Sequence, residues 1–428
     1  MEMKVVFVSQ HFDEVLPPHQ NSIGIWTYEV ARRLAASNEV TVIARRRRKE
    51  PVQHDIDGLR VQFVTCAPIR LWGAASRIWN YLWPRSPLFT RNYYATDFLR
   101  QAVRRIRELE PDVVHLQNFP QYAPIMRRAA PDATIVLHMH CDWLVQLDFR
   151  EMMEAVAACD AVVGCSSHVI DAARRRFSTF VDDKVLFAVL PNGAPVERLA
   201  LVRTPRSPAK VLFVGRVSAE KGVHTLIEAW PKVVAAHPEA RLEIVGPAAE
   251  TPREFLVDLS EDPDVAGLSR FYDRGNAYNG SYNAALRAMV PPHLGHTINF
   301  ASSEPYERML DRYAGASLLV NPSLSESFGM SLVEALATGT PVIATRVGGM
   351  PEIIEWTGGG LTVEKNEPDM LAAAINRLLA DPGQAAALGH RGRQRVAERY
   401  SWSRIAELTG SIYQQALSAR QSRRPEAA

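Results

Sequence analysis

Cysteine is scarce in this sequence. There are four in 428 residues, Cys66, Cys141, Cys159 and Cys165, with no C-x-x-C pair and no zinc-like spacing to histidine. That pattern argues against a disulfide framework or a cysteine-built metal site and suits a reduced, cytoplasmic setting. Long apolar runs are also lacking: no stretch approaches the roughly 20 apolar residues of a membrane span. The opening segment MEMKVVFVSQHF has only the short run Val5 to Val8, too short for the apolar stretch of a signal peptide, and it reads as a first buried strand. Charge of one sign is not in excess either. The formal net charge is +2, so nothing at whole-chain level favours a nucleic-acid partner. What remains is an ordinary globular composition, 47% hydrophobic and 22% charged. The length exceeds one ordinary core, which predicts two domains of about 200 residues.

Short β-branched runs alternate with amphipathic stretches. Lys4 to Val8, Val40 to Ile43, Leu59 to Val64, Asp112 to His115, Thr134 to His138 and Ala161 to Gly164 read as strands, with helical stretches such as Trp26 to Ala36 and Asp97 to Leu109 between them. This alternation predicts α/β domains with parallel sheets covered by helices. The pattern restarts at Lys210 to Val214 and continues through Arg241 to Gly246, Ser317 to Val320 and Pro341 to Ala344. Between the two series Thr204-Pro-Arg-Ser-Pro208 reads as a linker. The expected domains are therefore 1–203 and 209–398, followed by a last helix over 399–417 and a disordered tail over 418–428. Two doubly wound domains of this kind would face each other across a cleft at the carboxyl ends of their strands.

The chemistry concentrates between Asn321 and Glu334. A strand ends at Asn321-Pro322, Gly329 stands at a turn, and a helix follows whose first N–H groups make an anion site. Glu326 lies before that helix and Glu334 within it; carboxylates suit vicinal hydroxyls. Taken alone, Glu334 reads better as a solvated helix residue and Glu326 as a loop charge. Gly215-Arg216 and Lys221-Gly222, after the strand at Val211 to Val214, add two cations that could neutralise a leaving diphosphate.

Together with Gly348-Gly349-Met350-Pro351-Glu352, Pro191-Asn192-Gly193 and Tyr400-Ser401-Trp402, these residues resemble glycosyltransferase family 4, whose fold is GT-B. The two glutamates match that family's E-x7-E pattern. Each motif is weak alone, but five in the expected order over the whole chain are specific. The resemblance implies two facing Rossmann-like domains with an interdomain cleft, the last helix crossing back to the first domain. It implies retaining transfer of a hexosyl group from an NDP-sugar, UDP favoured, to a hydroxyl acceptor in polysaccharide, glycolipid or glycosylated natural-product synthesis. It puts Gly24, Arg216, Lys221, Met330 and Ser331 at the donor diphosphate, and Glu326, Phe328 and Gly329 at the donor sugar. Glu334 would hold the ribose, with backbone groups from Phe328 to Leu332 contacting sugar and phosphate, while His140 and Glu326 would be catalytic. The NDP-sugar is a co-substrate, and neither a cofactor nor a metal is expected. Where family members carry a Gly-Gly loop, this chain has Ile23-Gly24, so only one glycine remains. His138 and His115 read as structural.

Other features carry less. The triplets Asp55-Ile-Asp57 and Asp262-Pro-Asp264 resemble metal-binding D-x-D motifs but read as solvated turns. Asn279-Gly-Ser281 matches a glycosylation acceptor without a secretion signal. Tyr272, Tyr278 and Tyr282 read equally as cleft rim or structural flap. The run Arg45-Arg-Arg-Arg48-Lys49 reads as a solvated face. From Ile69 to Tyr94, Trp72, Trp79, Tyr81, Trp83, Tyr93 and Tyr94 interleave with Arg70, Arg77, Arg85 and Arg91. A peripheral contact with the inner membrane face and a loop packed on its own domain are both open there. Two rival readings stand beside the transferase. A sugar-nucleotide epimerase lacks a carboxylate-rich proton-abstraction site here. A non-catalytic sugar-nucleotide-binding partner or sensor is favoured only by Ile23, against Arg216, Lys221, Glu326 and His140.

Overall fold

Val5, Val6, Phe7 and Val8 are all buried in the first strand, because a parallel strand covered by helices on both faces needs apolar residues at successive positions. The computed structural model describes residues 2–18, 20–47, 51–66, 73–91, 94–181, 184–202, 204–273, 275 and 278–423, without the side chains of 73–75, 77, 81, 200 and 201. It divides into two units, Met1–Asn192 with Trp402–Ala428, and Gly193–Ser401.

The first unit is built on eight strands: β1 Lys4–Val8, β2 Glu39–Arg45, β3 Gln53–Ile56, β4 Leu59–Val64, β5 Val113–Gln117, β6 Thr134–Met139, β7 Ala161–Gly164 and β8 Leu186–Val189. They lie in the order β3-β4-β2-β1-β5-β6-β7-β8. All pairs are parallel except β3 and β4, a hairpin in which Ile56 faces Leu59. Asp57 and Gly58 form its turn with φ of 53° and 76°, the positive values that a two-residue hairpin of this hand requires. The chain winds outward from β1 through β2, then returns to lay β5 on the other side. The topological switch point of this sheet is therefore at the carboxyl ends of β1 and β5, where doubly wound sheets bind ligands.

The second unit has six parallel strands, β9 Lys210–Val214, β10 Arg241–Val245, β11 Ile298–Ala301, β12 Leu318–Asn321, β13 Val342–Thr345 and β14 Gly360–Val363. Their order is β11-β10-β9-β12-β13-β14. Its switch point lies between β9 and β12, which pair through Val211–Leu318 and Leu212–Leu319. Val211, Phe213, Leu242, Ile244, Leu318 and Val320 pack with Trp230 and Leu226 into one core.

Three expectations on chain organisation are corrected. The boundary falls at Asn192, not after residue 203: the Leu190 N–H still bonds to Gly164, whereas the Ala194 N–H bonds to the Tyr400 carbonyl at 2.7 Å within the second unit. The segment read as a linker is part of that unit's edge, since Thr204 donates to Asp311 at 2.7 Å and Arg206 to the Gly339 carbonyl at 2.8 Å. The tail expected to be disordered is helical to Ser422. Its helix Trp402–Ser422 buries Trp402, Ile405, Ile412 and Tyr413, and Arg420 bonds to Asp160 at 3.0 Å within the first unit. Residues 424–428 lie outside the described residues.

Candidate active site

At the switch point of the second sheet, the chain leaves β9 at Gly215-Arg216 and turns through Ala219–Lys221. Lys221 Nζ bonds to Glu326 Oε2 at 2.8 Å, with both side chains mostly buried. Arg216 pairs with Glu220 at 3.1 Å. Glu220 is buried and takes further bonds at 2.6 Å from the hydroxyls of Ser218 and Thr251. Burial pushes its carboxyl up, but Arg216, Lys221 and the two hydroxyls outweigh it and hold it below the ordinary carboxylate value. The Glu220 carbonyl in turn accepts the N–H of Leu324 at 2.8 Å, so one residue tethers the cation loop to the loop after β12. Sequence reasoning passed over Glu220. The available signal was a carboxylate within the Arg216–Lys221 loop.

Two glycines set this geometry. At Gly222, with φ of 66°, a Cβ would stand 2.0 Å from the Pro322 carbonyl oxygen. At Gly348, with φ of 56°, a Cβ would stand 1.5 Å from the carbonyl oxygen of Glu326. Only glycine lets these backbones meet. The Gly348-Gly349 motif thus holds the Glu326 main chain, which sequence alone does not reveal.

Gly329, at φ 101°, caps the helix Met330–Ala337. That helix has no acidic residue in its first turn, so the positive end is not neutralised by its own sequence. Ser331 receives a long 3.5 Å bond from Asn321. The Phe328 ring is buried edge-on to Tyr400, leaving its backbone as the part that could meet a ligand.

Glu334 is 4% exposed, not a solvated helix residue. The Tyr313 hydroxyl donates to its Oε2 at 2.6 Å, while Oε1 has no hydrogen-bond partner among the described residues. Burial raises the carboxyl from 4.5 to about 7, with the hydroxyls of Tyr313 and Tyr306 acting in the opposite direction. A buried acceptor without a partner costs free energy until a donor such as a vicinal diol reaches it.

In the first unit, the corresponding switch point holds Gly24 and His140. Gly24 lies in the helix Ser22–Leu34, and its N–H donates to the capping Asn21 Oδ1 at 2.7 Å. A Cβ at Gly24 would stand 2.1 Å from the Glu14 carbonyl oxygen. Its amide is thus engaged within the protein. His140 follows β6, its N–H donating to Asn118 Oδ1 at 2.9 Å and its Nε2 standing 2.8 Å from Gln117 Oε1. Desolvation lowers its pKa from 6.5 to about 3, so the ring is neutral at physiological pH. His138 and His115 are fully buried: His138 Nε2 bonds to the Leu190 carbonyl at 3.1 Å, and His115 Nδ1 to Tyr413 Oη at 2.8 Å.

Of the discounted features, Asp57 accepts from Tyr28 at 2.8 Å, and Asp262 caps a short helix and pairs with Lys365. Tyr282 is core, bonded to His224 at 2.8 Å, and Tyr272 donates to the Thr251 carbonyl at 2.9 Å; Tyr278 is exposed. In the aromatic segment, Arg70, Trp72 and Tyr93 lie outside the described residues, as do Arg48 and Lys49. The helix Gly73–Leu82 is described, with Trp79 packed on Trp83 at 4.5 Å and Arg91 over Trp79 at 5.3 Å.

Comparison with known proteins puts the junction of two family models between residues 198 and 202, a few residues after the Asn192 division. Residues 23–198 match the family model described as Glycosyltransferase Family 4, and residues 202–395 the one described as Glycosyl transferases group 1. A glycogen synthase of Mycobacterium tuberculosis is 28% identical over 321 residues, spanning 72% of this chain and 69% of its own. The sucrose-phosphate synthase structure from Thermosynechococcus elongatus aligns with a TM-score of 0.71 at 22% identity, covering 97% of this chain and 100% of that one. An Anabaena protein in complex with UDP-glucose aligns with a TM-score of 0.64 at 17% identity, over 97% of this chain and 100% of its own. The two units carry the GT-B fold.

Proposed function

The chain belongs to glycosyltransferase family 4, and on that premise we propose that it moves a hexosyl group from an NDP-sugar, UDP favoured, to a hydroxyl acceptor with retention of configuration. The observation that carries this reading is the meeting of Arg216, Lys221, Glu326 and the Gly329–Met330 helix start at one switch point. Arg216 and Lys221 are fixed cations for the diphosphate, whose charge grows as it leaves. The helix start adds a partial positive charge. Glu326, held by Lys221, accepts from sugar hydroxyls, and Glu334 Oε1 accepts from the ribose. The anomeric C1–O bond to phosphate breaks with its electron pair going to the leaving nucleotide. The acceptor oxygen bonds C1 on the same face, and its proton passes to the leaving phosphate oxygen. By the family resemblance, neutral His140 would hydrogen-bond the donor sugar. Neither cofactor nor metal is part of this reading, which is supported by the pairing of Asp57 with Tyr28 and of Asp262 and Asp264 with Lys365. That a structural neighbour holds UDP-glucose supports UDP as the base carrier.

The test is a thermal-shift panel of UDP-, GDP- and ADP-sugars, in which a donor at about 100 times its Kd adds about 2.7 kcal/mol of stability. Glu326→Ala should then abolish transfer while keeping nucleotide binding. Wild-type turnover in that variant would refute the assignment.

A specific observation favours a membrane-borne acceptor as the second substrate. On and beside the helix Gly73–Leu82, Ile78 and Leu82, one turn apart, and the adjacent Trp83 are 67%, 56% and 48% exposed. Among the described residues no helix is long and apolar enough to cross a membrane. A peripheral contact at the cytoplasmic face is the form this reading takes.

A further inference from the structure

We infer that Gln117 is a positioning residue that fixes the tautomer of His140, so that the ring meets its ligand with Nδ1 as a hydrogen-bond acceptor. The inference rests on the reading of His140 as the residue beside the donor sugar.

The argument runs outward from Thr27. Its hydroxyl has a single proton, and Oγ1 lies 2.8 Å from the Ile23 carbonyl four residues earlier, which can only accept. Toward any other neighbour Thr27 Oγ1 must therefore accept. That neighbour is Gln117, whose Nε2 lies 3.1 Å away. The amide must present its NH2 to Thr27 and hence its oxygen to the opposite side. There Gln117 Oε1 meets His140 Nε2 at 2.8 Å. An oxygen that only accepts requires a proton on Nε2, and a neutral imidazole has one ring proton. Nδ1 is left bare. Thr27 and Gln117 are fully buried, so no water replaces a missing partner cheaply. Asn118 Oδ1 pins the His140 main chain through its N–H at 2.9 Å, and the His138 ring lies against the His140 ring at 4.0 Å, tilted by 35°. Position, orientation and proton are then all set from beneath.

This arrangement also involves the altered glycine loop. The chain of donors ends on the carbonyl of Ile23, the residue standing where a first loop glycine is expected. Ile23 thus contributes a fixed acceptor at the root of the His140 network. Chemically, a bare Nδ1 recognises a hydroxyl and discriminates against a group at the same place that cannot donate.

The tautomer can be read directly. Histidine is labelled with 15N in the full chain, which has 12 histidines, and the His140 ring signals are assigned by their loss in His140→Asn. Wild-type protein should show protonated Nε2 and bare Nδ1 at neutral pH. Gln117→Leu and Thr27→Val should shift the ring toward a mixture of tautomers. Gln117→Leu should lower kcat about 10–100-fold with KM for the donor near the wild-type value. A protonated Nδ1 in the wild type overturns the inference without any variant having to fold. So does a Gln117→Leu protein with unchanged tautomer and kcat. If His140→Asn itself transfers at the wild-type rate, the reading of His140 is what fails, and the wild-type spectrum still decides whether Gln117 sets the ring.

Discussion

Replacing Glu334 by glutamine should alter how stability depends on pH. The native carboxyl is raised from 4.5 to about 7 by burial, so the folded chain keeps a proton where the unfolded chain has lost it. The unfolded state then binds fewer protons, and stability falls as pH rises from about 4.5 through about 7. At about 1.4 kcal/mol per tenfold change the displacement is worth on the order of 3 kcal/mol, most of it falling between pH 5 and pH 8. Glutamine keeps the volume and still accepts from Tyr313, but it does not titrate. Other shifted groups, including Asp13 raised to about 6 and the depressed His11, His115 and His224, belong to both proteins and cancel in the difference. Urea unfolding of both proteins at pH 5, 6, 7 and 8 measures it. The wild type should lose roughly 2–3 kcal/mol relative to the variant across that range. The same titration predicts that UDP binds the wild type more tightly as Glu334 ionises, because its diol donates to Oε1, and that the variant's affinity is flat. Parallel stability curves for the two proteins would show that Glu334 is ionised in the fold at every pH, and the reasoning from burial would fail.

Arg216→Ala and Lys221→Ala should each weaken UDP binding by about 1.5–3 kcal/mol, the range for a charge-assisted hydrogen bond, as calorimetry would show. Gly348→Ala should cost about 1–3 kcal/mol from its positive φ alone. It should also reduce donor affinity, because the new methyl must displace the Glu326 carbonyl 1.5 Å away; a melting curve and a nucleotide titration check both. Serine at Ile78 and Leu82 together should reduce sedimentation with anionic liposomes while leaving the melting temperature in place, since these side chains are exposed. Unchanged sedimentation would remove the membrane contact. Truncation after Ser418 should lower stability by about 1–3 kcal/mol, because it removes Arg420 from Asp160; a neutral truncation would restore the view of this end as a free tail.

Most of the fold was legible because interior strands must be apolar throughout. Ten strands were read from the sequence. The four that were not, β3, β8, β11 and β14, are the four edges of the two sheets. An edge strand is covered less completely, and its side chains are mostly half-buried or exposed, so it lacks a continuous apolar run. The donor-side residues were legible as types at set spacings, but their partners were not. Glu334 looks like a surface residue until Tyr313 is brought against it from another helix. Gln117 and Thr27 are 90 residues apart and make one hydrogen-bonded chain only once β5 lies beside β1. The last helix was drawn too short because polar residues such as Arg420 look idle without sight of Asp160.

The helix Trp402–Ser422 belongs to the first unit but is encoded after the whole of the second. On the ribosome, the first unit therefore waits for its own last piece while the second is made. At synthesis rates of about 5–20 residues per second that interval is on the order of 10–40 s. Throughout it, His115 lacks Tyr413, Asp160 lacks Arg420, and the apolar surface later covered by Ile405 and Ile412 is open. The nascent chain carries an unfinished first unit beside a second that can already close. Moving the termini to join this helix directly to β1 would let each unit be completed in a single pass.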